Sequence, residues 1–149
     1  IAFGNAGVHL PHGMAYAVAG GAHSYHHEGY PHDHALVPHG VSVIVNAPAV
    51  FRWTAESSPE RHLESAELLG AAMSGADLED AGEVLATHLQ TLMQACCIPN
   101  GIKAIGYSDN DISTLTAGTL PQQRLLKNSP RLADQDALNH LFSHALSYW

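Results

Sequence analysis

Apolar residues recur every three to four positions through almost the whole chain, and alternating runs bounded by turn residues are missing. That pattern predicts an all-α fold with little strand. A first helix is expected to end near Leu10, because the residue before Pro11 is pushed out of the helical region. A second runs from Pro11 to about Gly20, with Gly20-Gly21 as its stop. The polar stretch from His23 to His34 then reads as a surface or cleft-lining connection. A third helix is predicted from Pro38 to about Ala55. Its Val41, Ile44, Val45 and Val50 suggest burial on more than one face and a central place, with Pro48 kinking or interrupting it.

Ser58 and Pro59 mark a fresh start, as N-cap and first helical residue, for an amphipathic helix that stops at Gly70. Glu79 to Cys97 carries the stripe Val84, Leu85, Leu89, Leu92 and Met93. Ser108 to Asp111 caps a short helix through Leu120, and Pro121 to Asn128 is irregular or a single turn. Ala133 to Trp149 closes the chain, with Leu138, Leu141, Phe142, Leu146 and Trp149 on its buried side. Residues 1–149 thus form one helical bundle, long enough for a real core. The opening Ile1-Ala2-Phe3-Gly4-Asn5-Ala6-Gly7 reads like the middle of a packed helix, so the chain is expected to be a piece of a longer polypeptide.

Composition removes several classes of partner. Six Lys and Arg face fourteen Asp and Glu, a formal charge of −8, which argues against a nucleic acid. The longest apolar stretch, Val41 to Phe51, is too short to span a bilayer and contains Asn46 and Pro48, so no membrane partner is expected. Cys96 and Cys97 are adjacent and read as buried thiols at a helix end, in a reducing compartment. The chain has twelve histidines, and they crowd between His9 and His39.

Two of them sit in repeated triplets, Pro11-His12-Gly13 and Pro38-His39-Gly40. Proline suits the first helical position, which needs no N–H. The histidine then falls in the first turn, where the helix dipole disfavours imidazolium and leaves the neutral, metal-binding ring. The glycine lets another group approach beside it. Tyr16 lies four residues after His12 on the same face. Two imidazoles are an incomplete ligand set, and no HExxH or CxxC completes it. A non-catalytic helical interaction or metal-binding module therefore stays open beside an enzyme.

The segments Gly4-Asn5-Ala6-Gly7-Val8-His9-Leu10-Pro11-His12-Gly13-Met14-Ala15-Tyr16 and Asp33-His34-Ala35-Leu36-Val37-Pro38-His39-Gly40-Val41-Ser42-Val43 resemble the iron-containing alcohol dehydrogenase family, nearest its hydroxyacid-oxoacid transhydrogenase branch. The likeness continues through Ala47-Pro48-Ala49-Val50-Phe51, Pro59-Glu60-Arg61-His62-Leu63-Glu64, Gly106-Tyr107-Ser108 and Gly118-Thr119-Leu120-Pro121-Gln122. It implies a C-terminal helical domain whose N-terminal dinucleotide-binding α/β half is absent here. It also implies Fe(2+), or Zn(2+), with His12 and His39 as two of four ligands, the upstream aspartate and histidine lying outside the chain. Many members carry a histidine where this chain has Tyr16, the candidate catalytic group. NAD(P) would be held mainly by the missing domain.

The implied reaction passes hydride from a 4-hydroxybutyrate-like hydroxyacid to a 2-oxoglutarate-like oxoacid through bound nicotinamide. The alternative within the family is an NAD(P)-dependent alcohol dehydrogenase. Such acids need basic partners, for which Arg124, Lys127 and Arg131 are candidates, Arg124 foremost. The expected setting is cytoplasmic, or the mitochondrial matrix if the source is eukaryotic. Expected partners are the small-molecule substrate and the missing domain, with a homo-oligomer left open.

Overall fold

The computed structural model describes residues 1–149, save the side chains of Ala2 and Phe3. The described residues form nine α-helices and no strand: α1 (Ala2–Ala6), α2 (Leu10–Gly20), α3 (His39–Ile44), α4 (Ala47–Thr54), α5 (Pro59–Leu68), α6 (Ala81–Ala95), α7 (Ile112–Thr119), α8 (Gln123–Leu126) and α9 (Gln135–His144). The main core gathers Leu10, Met14 and Val18 of α2 with Val41, Val45, Val50, Ile102, Leu115, Leu138, Leu141 and Phe142. Leu10, Met14 and Val18 are spaced by one turn each and are fully buried. The central helix is therefore α2, which packs on α3, α7 and α8. A second cluster, Ala47, Ala66, Leu85 and Leu89, joins α4, α5 and α6.

The predicted third helix is two helices. Pro48 cannot donate to the carbonyl of Ile44, so the helix breaks before it, and Pro48 falls in the first turn of α4. Asn46, fully buried in the break, donates from Nδ2 to the Ser42 carbonyl at 2.8 Å. The first break also differs from expectation. It lies at Gly7, with φ of +70°, and Leu10 already begins α2. Proline in the first turn starts a helix as readily as it ends the one before.

The closing helix begins at Gln135, where the Asp134 side chain accepts the N–H of Ala137 at 2.9 Å, and stops at His144. It stops because the carbonyls of Ala145 and Leu146 accept the N–H groups of Ile102 and Lys103, at 2.8 and 3.0 Å. Gly101 makes that crossing feasible: a Cβ there would lie 2.5 Å from the Ala145 oxygen. Trp149 is consequently half-exposed rather than buried. Tyr148 takes the inner place and donates its hydroxyl to the Val45 carbonyl at 2.8 Å.

Two smaller expectations also change. Leu92, expected on the buried stripe of α6, is exposed, while Met93 turns inward at 2% exposure. Cys96 and Cys97 are exposed, and Cys97 holds the left-handed position after the helix with φ of +54°.

Candidate metal centre

His12 lies in the first turn of α2, where Pro11 also sits, and His39 is the first residue of α3 with Pro38 just outside it. Packing of α2 on α3 through Leu10, Met14 and Val41 brings the two imidazoles together. Their ring centroids are 5.4 Å apart, with planes inclined by 62°. Burial, and then the neighbouring His39, hold the His12 pKa below its ordinary value, which favours the neutral ring that can donate a lone pair. Among the described residues no group of three or more His, Cys, Asp or Glu side chains could hold a metal. This chain therefore sets two imidazoles side by side, and imidazole nitrogen is a ligand type that suits a divalent transition ion.

The glycines of the triplets differ. A Cβ on Gly13 would lie 3.2 Å from Leu126 Cδ2, so this glycine does admit a close neighbour. A Cβ on Gly40 would meet nothing within 4 Å, so there the expected close approach is not made within this chain.

Behind the pair stands a layer that sequence reasoning missed. His9 packs edge-on to Phe51, with centroids 6.1 Å apart, and Phe51 packs against His62 at 6.0 Å. The buried His62 donates from Nδ1 to the Ser58 carbonyl at 2.8 Å, and its Nε2 lies 2.9 Å from the Thr54 hydroxyl. Burial, followed by the charges of His12 and His62, lowers the His9 pKa. The signal was present only as Ser58 and His62 four apart on one helix.

Of the three basic candidates, Arg124 alone reaches Tyr16. Its Nη2 donates to the Tyr16 hydroxyl at 3.1 Å. Arg131 is committed elsewhere: it lies 4.2 Å over the Trp53 ring, bonds the Trp53 carbonyl and pairs with Glu56 at 3.0 Å. Lys127 is exposed at the end of α8. Tyr16 is half-exposed and stands at a cavity of roughly 500 Å³ that continues past Gly20, Tyr107, Gly118 and Gln122. The histidine-rich connection is mostly exposed. It is closed by the N–H of Leu36 on the Tyr25 carbonyl at 2.9 Å and carries a His26–His32 ring pair at 5.5 Å.

An all-helical domain that presents paired imidazoles from two helix starts points to a metal-dependent helical enzyme domain. Residues 1–146 match the family described as "Fe-containing alcohol dehydrogenase family, C-terminal". The chain belongs to that family of oxidoreductases and corresponds to the C-terminal helical part of a two-domain dehydrogenase. It is 47% identical over 149 residues to the mitochondrial hydroxyacid-oxoacid transhydrogenase of Rattus norvegicus and 46% identical to that of Homo sapiens. All of the chain is covered in both comparisons, but only 32% of each relative, so the chain spans about a third of their length. Two solved structures share the fold. A 1,3-propanediol oxidoreductase matches at a TM-score of 0.79 and the alcohol dehydrogenase from Oenococcus oeni at 0.80. Each is 26% identical and covers 97% of this chain and 34% of its own.

Proposed function

We propose that this chain is the metal-binding helical part of a hydroxyacid-oxoacid transhydrogenase, in which His12 and His39 are two ligands of a divalent iron or zinc ion. The observation that carries the reading is the convergence of two imidazoles from separate helix starts. The names of the relatives at about 46% identity support the acid substrates. When bound, such an ion supplies Lewis acidity toward an alcohol or carbonyl oxygen, and the hydride travels on a nicotinamide held mainly by an N-terminal α/β domain.

This chain's own residues have narrower tasks. His12 and His39 present ring nitrogens from helices whose packing sets the separation of the two rings. Met14 and Val41, two residues further along the same helices, are buried in the core that fixes α2 against α3. Arg124, on α8, offers a guanidinium to a substrate carboxylate from beside Tyr16, which lies one helical turn along α2 from His12. The relatives' names also support a mitochondrial setting, and no helix among the described residues is long and apolar enough to cross a membrane.

The test uses the whole protein. His12→Ala combined with His39→Ala is expected to abolish stoichiometric metal by elemental analysis and to lower turnover by at least about a hundredfold, more than loss of an outer-shell partner costs. Retained metal and normal turnover would remove both assignments. The two similar solved structures favour a second reading, an NAD(P)-dependent alcohol dehydrogenase. Turnover that needs an oxoacid acceptor supports the transhydrogenase, and turnover sustained by free NAD(P) alone supports the dehydrogenase.

A further inference from the structure

The contact between Tyr16 and Arg124 joins residues 108 positions apart, and it sets Arg124 apart from the other arginines. Arg52, Arg61 and Arg131 each face a carboxylate: Glu83 at 2.5 Å, Glu64 at 3.1 Å and Glu56 at 3.0 Å. Among the described residues no carboxylate lies within ion-pair distance of Arg124, and its side-chain partner is the Tyr16 hydroxyl. Its positive charge is therefore uncompensated, on a side chain that is exposed. A guanidinium in that state presents a planar fork suited to an incoming carboxylate.

The fork is also held in register with the paired imidazoles. Leu125 and Leu126, which follow Arg124 on α8, are 5% exposed. Leu126 is seated where Gly13 has no side chain, at 3.2 Å from the position of a Cβ. One helix, α2, thus carries His12, receives Leu126 beside it at Gly13, and braces Arg124 through Tyr16 a turn further on. An arginine on an exposed one-turn helix otherwise loses its direction to rotamer freedom. The phenol oxygen accepts one of its N–H groups and leaves the others, and the phenol's own O–H, for a second acceptor.

We infer that Tyr16 is a positioning residue that aims Arg124 at the substrate carboxylate, so that this pair selects hydroxyacids and oxoacids over neutral alcohols. The inference rests on the reading of His12 and His39 as the reacting end of the site. It reassigns Tyr16, read from spacing as a candidate catalytic group, to orientation rather than proton transfer.

The experiment compares Tyr16→Phe, Arg124→Gln, Arg124→Lys and the double change Tyr16→Phe with Arg124→Gln in the whole enzyme. KM and kcat are read for a hydroxyacid and for a neutral alcohol of equal length. Calorimetry with glutarate, an unreactive dicarboxylate, gives a readout that does not depend on turnover.

Arg124→Gln is expected to raise the hydroxyacid KM and weaken glutarate about ten- to a hundredfold, the scale of a hydrogen-bonded charge. Tyr16→Phe is expected to do so about three- to tenfold, the scale of one neutral partner. Its effect on the hydroxyacid kcat should be smaller than on KM, and the pH–rate profile should keep its shape. Arg124→Lys should recover part of the glutarate affinity. In the Arg124→Gln background the Tyr16→Phe penalty should vanish, because a residue that acts through another has no separate effect.

Three results would overturn the inference: equal losses on acid and alcohol, a displaced limb of the pH profile, or an undiminished penalty in the double variant. Tyr16→Phe removes a single oxygen from an exposed side chain, and unchanged metal content confirms that the variant has folded. An enzyme without hydroxyacid turnover whose glutarate affinity still depended on both residues would sink the proposed reaction and leave the anion clamp standing. Hydroxyacid turnover with glutarate affinity indifferent to both changes would do the reverse.

Discussion

Gly82→Ala is expected to loosen the junction of α4 and α6 although alanine is the better helix former. Gly82 is buried in the first turn of α6. A Cβ there would lie 2.8 Å from the Arg52 carbonyl oxygen, 2.9 Å from Ala55 Cβ and 3.2 Å from Arg52 Cα. Two of the three atoms are backbone, so no rotamer change relieves the contact. Overpacking of this kind costs about 1–3 kcal/mol, against roughly 1 kcal/mol gained from helix propensity. The sharper the clash, the nearer the cost lies to the upper end, so the net loss is about 1–2 kcal/mol. That corresponds to amides of α4 and α6 exchanging roughly 5- to 30-fold faster. Separation of the helices also strains the Arg52–Glu83 pair that spans them at 2.5 and 3.0 Å. The assay is native-state hydrogen exchange on the whole protein, with α7 and α9 as internal reference. Unchanged or slower exchange in α4 and α6 would refute the packing argument.

Tyr148→Phe deletes the hydroxyl that ties the chain's end to Val45, in a place where burial pushes the phenol pKa far up. The Val45 carbonyl accepts that hydrogen bond at the break between α3 and α4, so a loss of about 1 kcal/mol is expected, read as a lower urea midpoint with an unchanged slope. Glu83 is held below its ordinary pKa of 4.5, chiefly by the hydrogen bond from Arg52. Because the folded value is depressed, its stabilisation is complete above 4.5 and is lost as pH falls through the lowered folded value. The pair is largely solvent-exposed, so Glu83→Gln is expected to cost no more than about 1 kcal/mol at pH 7. The difference from the unmodified protein should vanish in strong acid, which thermal unfolding between pH 7 and 2 would check.

Much of the helical order was legible in the sequence because the 3.6-residue apolar period and the proline and glycine stops are local signals. Leu138, Leu141 and Phe142 on α9, and Leu85 and Leu89 on α6, are buried as their spacing required. Element ends were less legible. Pro48 reads equally as a kink or an interruption, and the structure has the interruption, with Asn46 in the break bonded to the Ser42 carbonyl. Trp149 fits a helical stripe, yet the two backbone hydrogen bonds from Ile102 and Lys103 to residues 145 and 146 end the helix before it arrives.

The repeated Pro-His-Gly triplets nominated His12 and His39 from sequence, since they couple a helix start to a neutral imidazole. By itself the sequence determined the helical class and the family likeness and singled out the two imidazoles, all of which rest on local pattern. Tertiary structure decided the rest: that the rings stand 5.4 Å apart, that Arg131 is spent on Trp53 and Glu56, and that Arg124 meets Tyr16. Those outcomes depend on which helix faces pack together across a hundred residues of chain, and no local spacing encodes a distance of that kind.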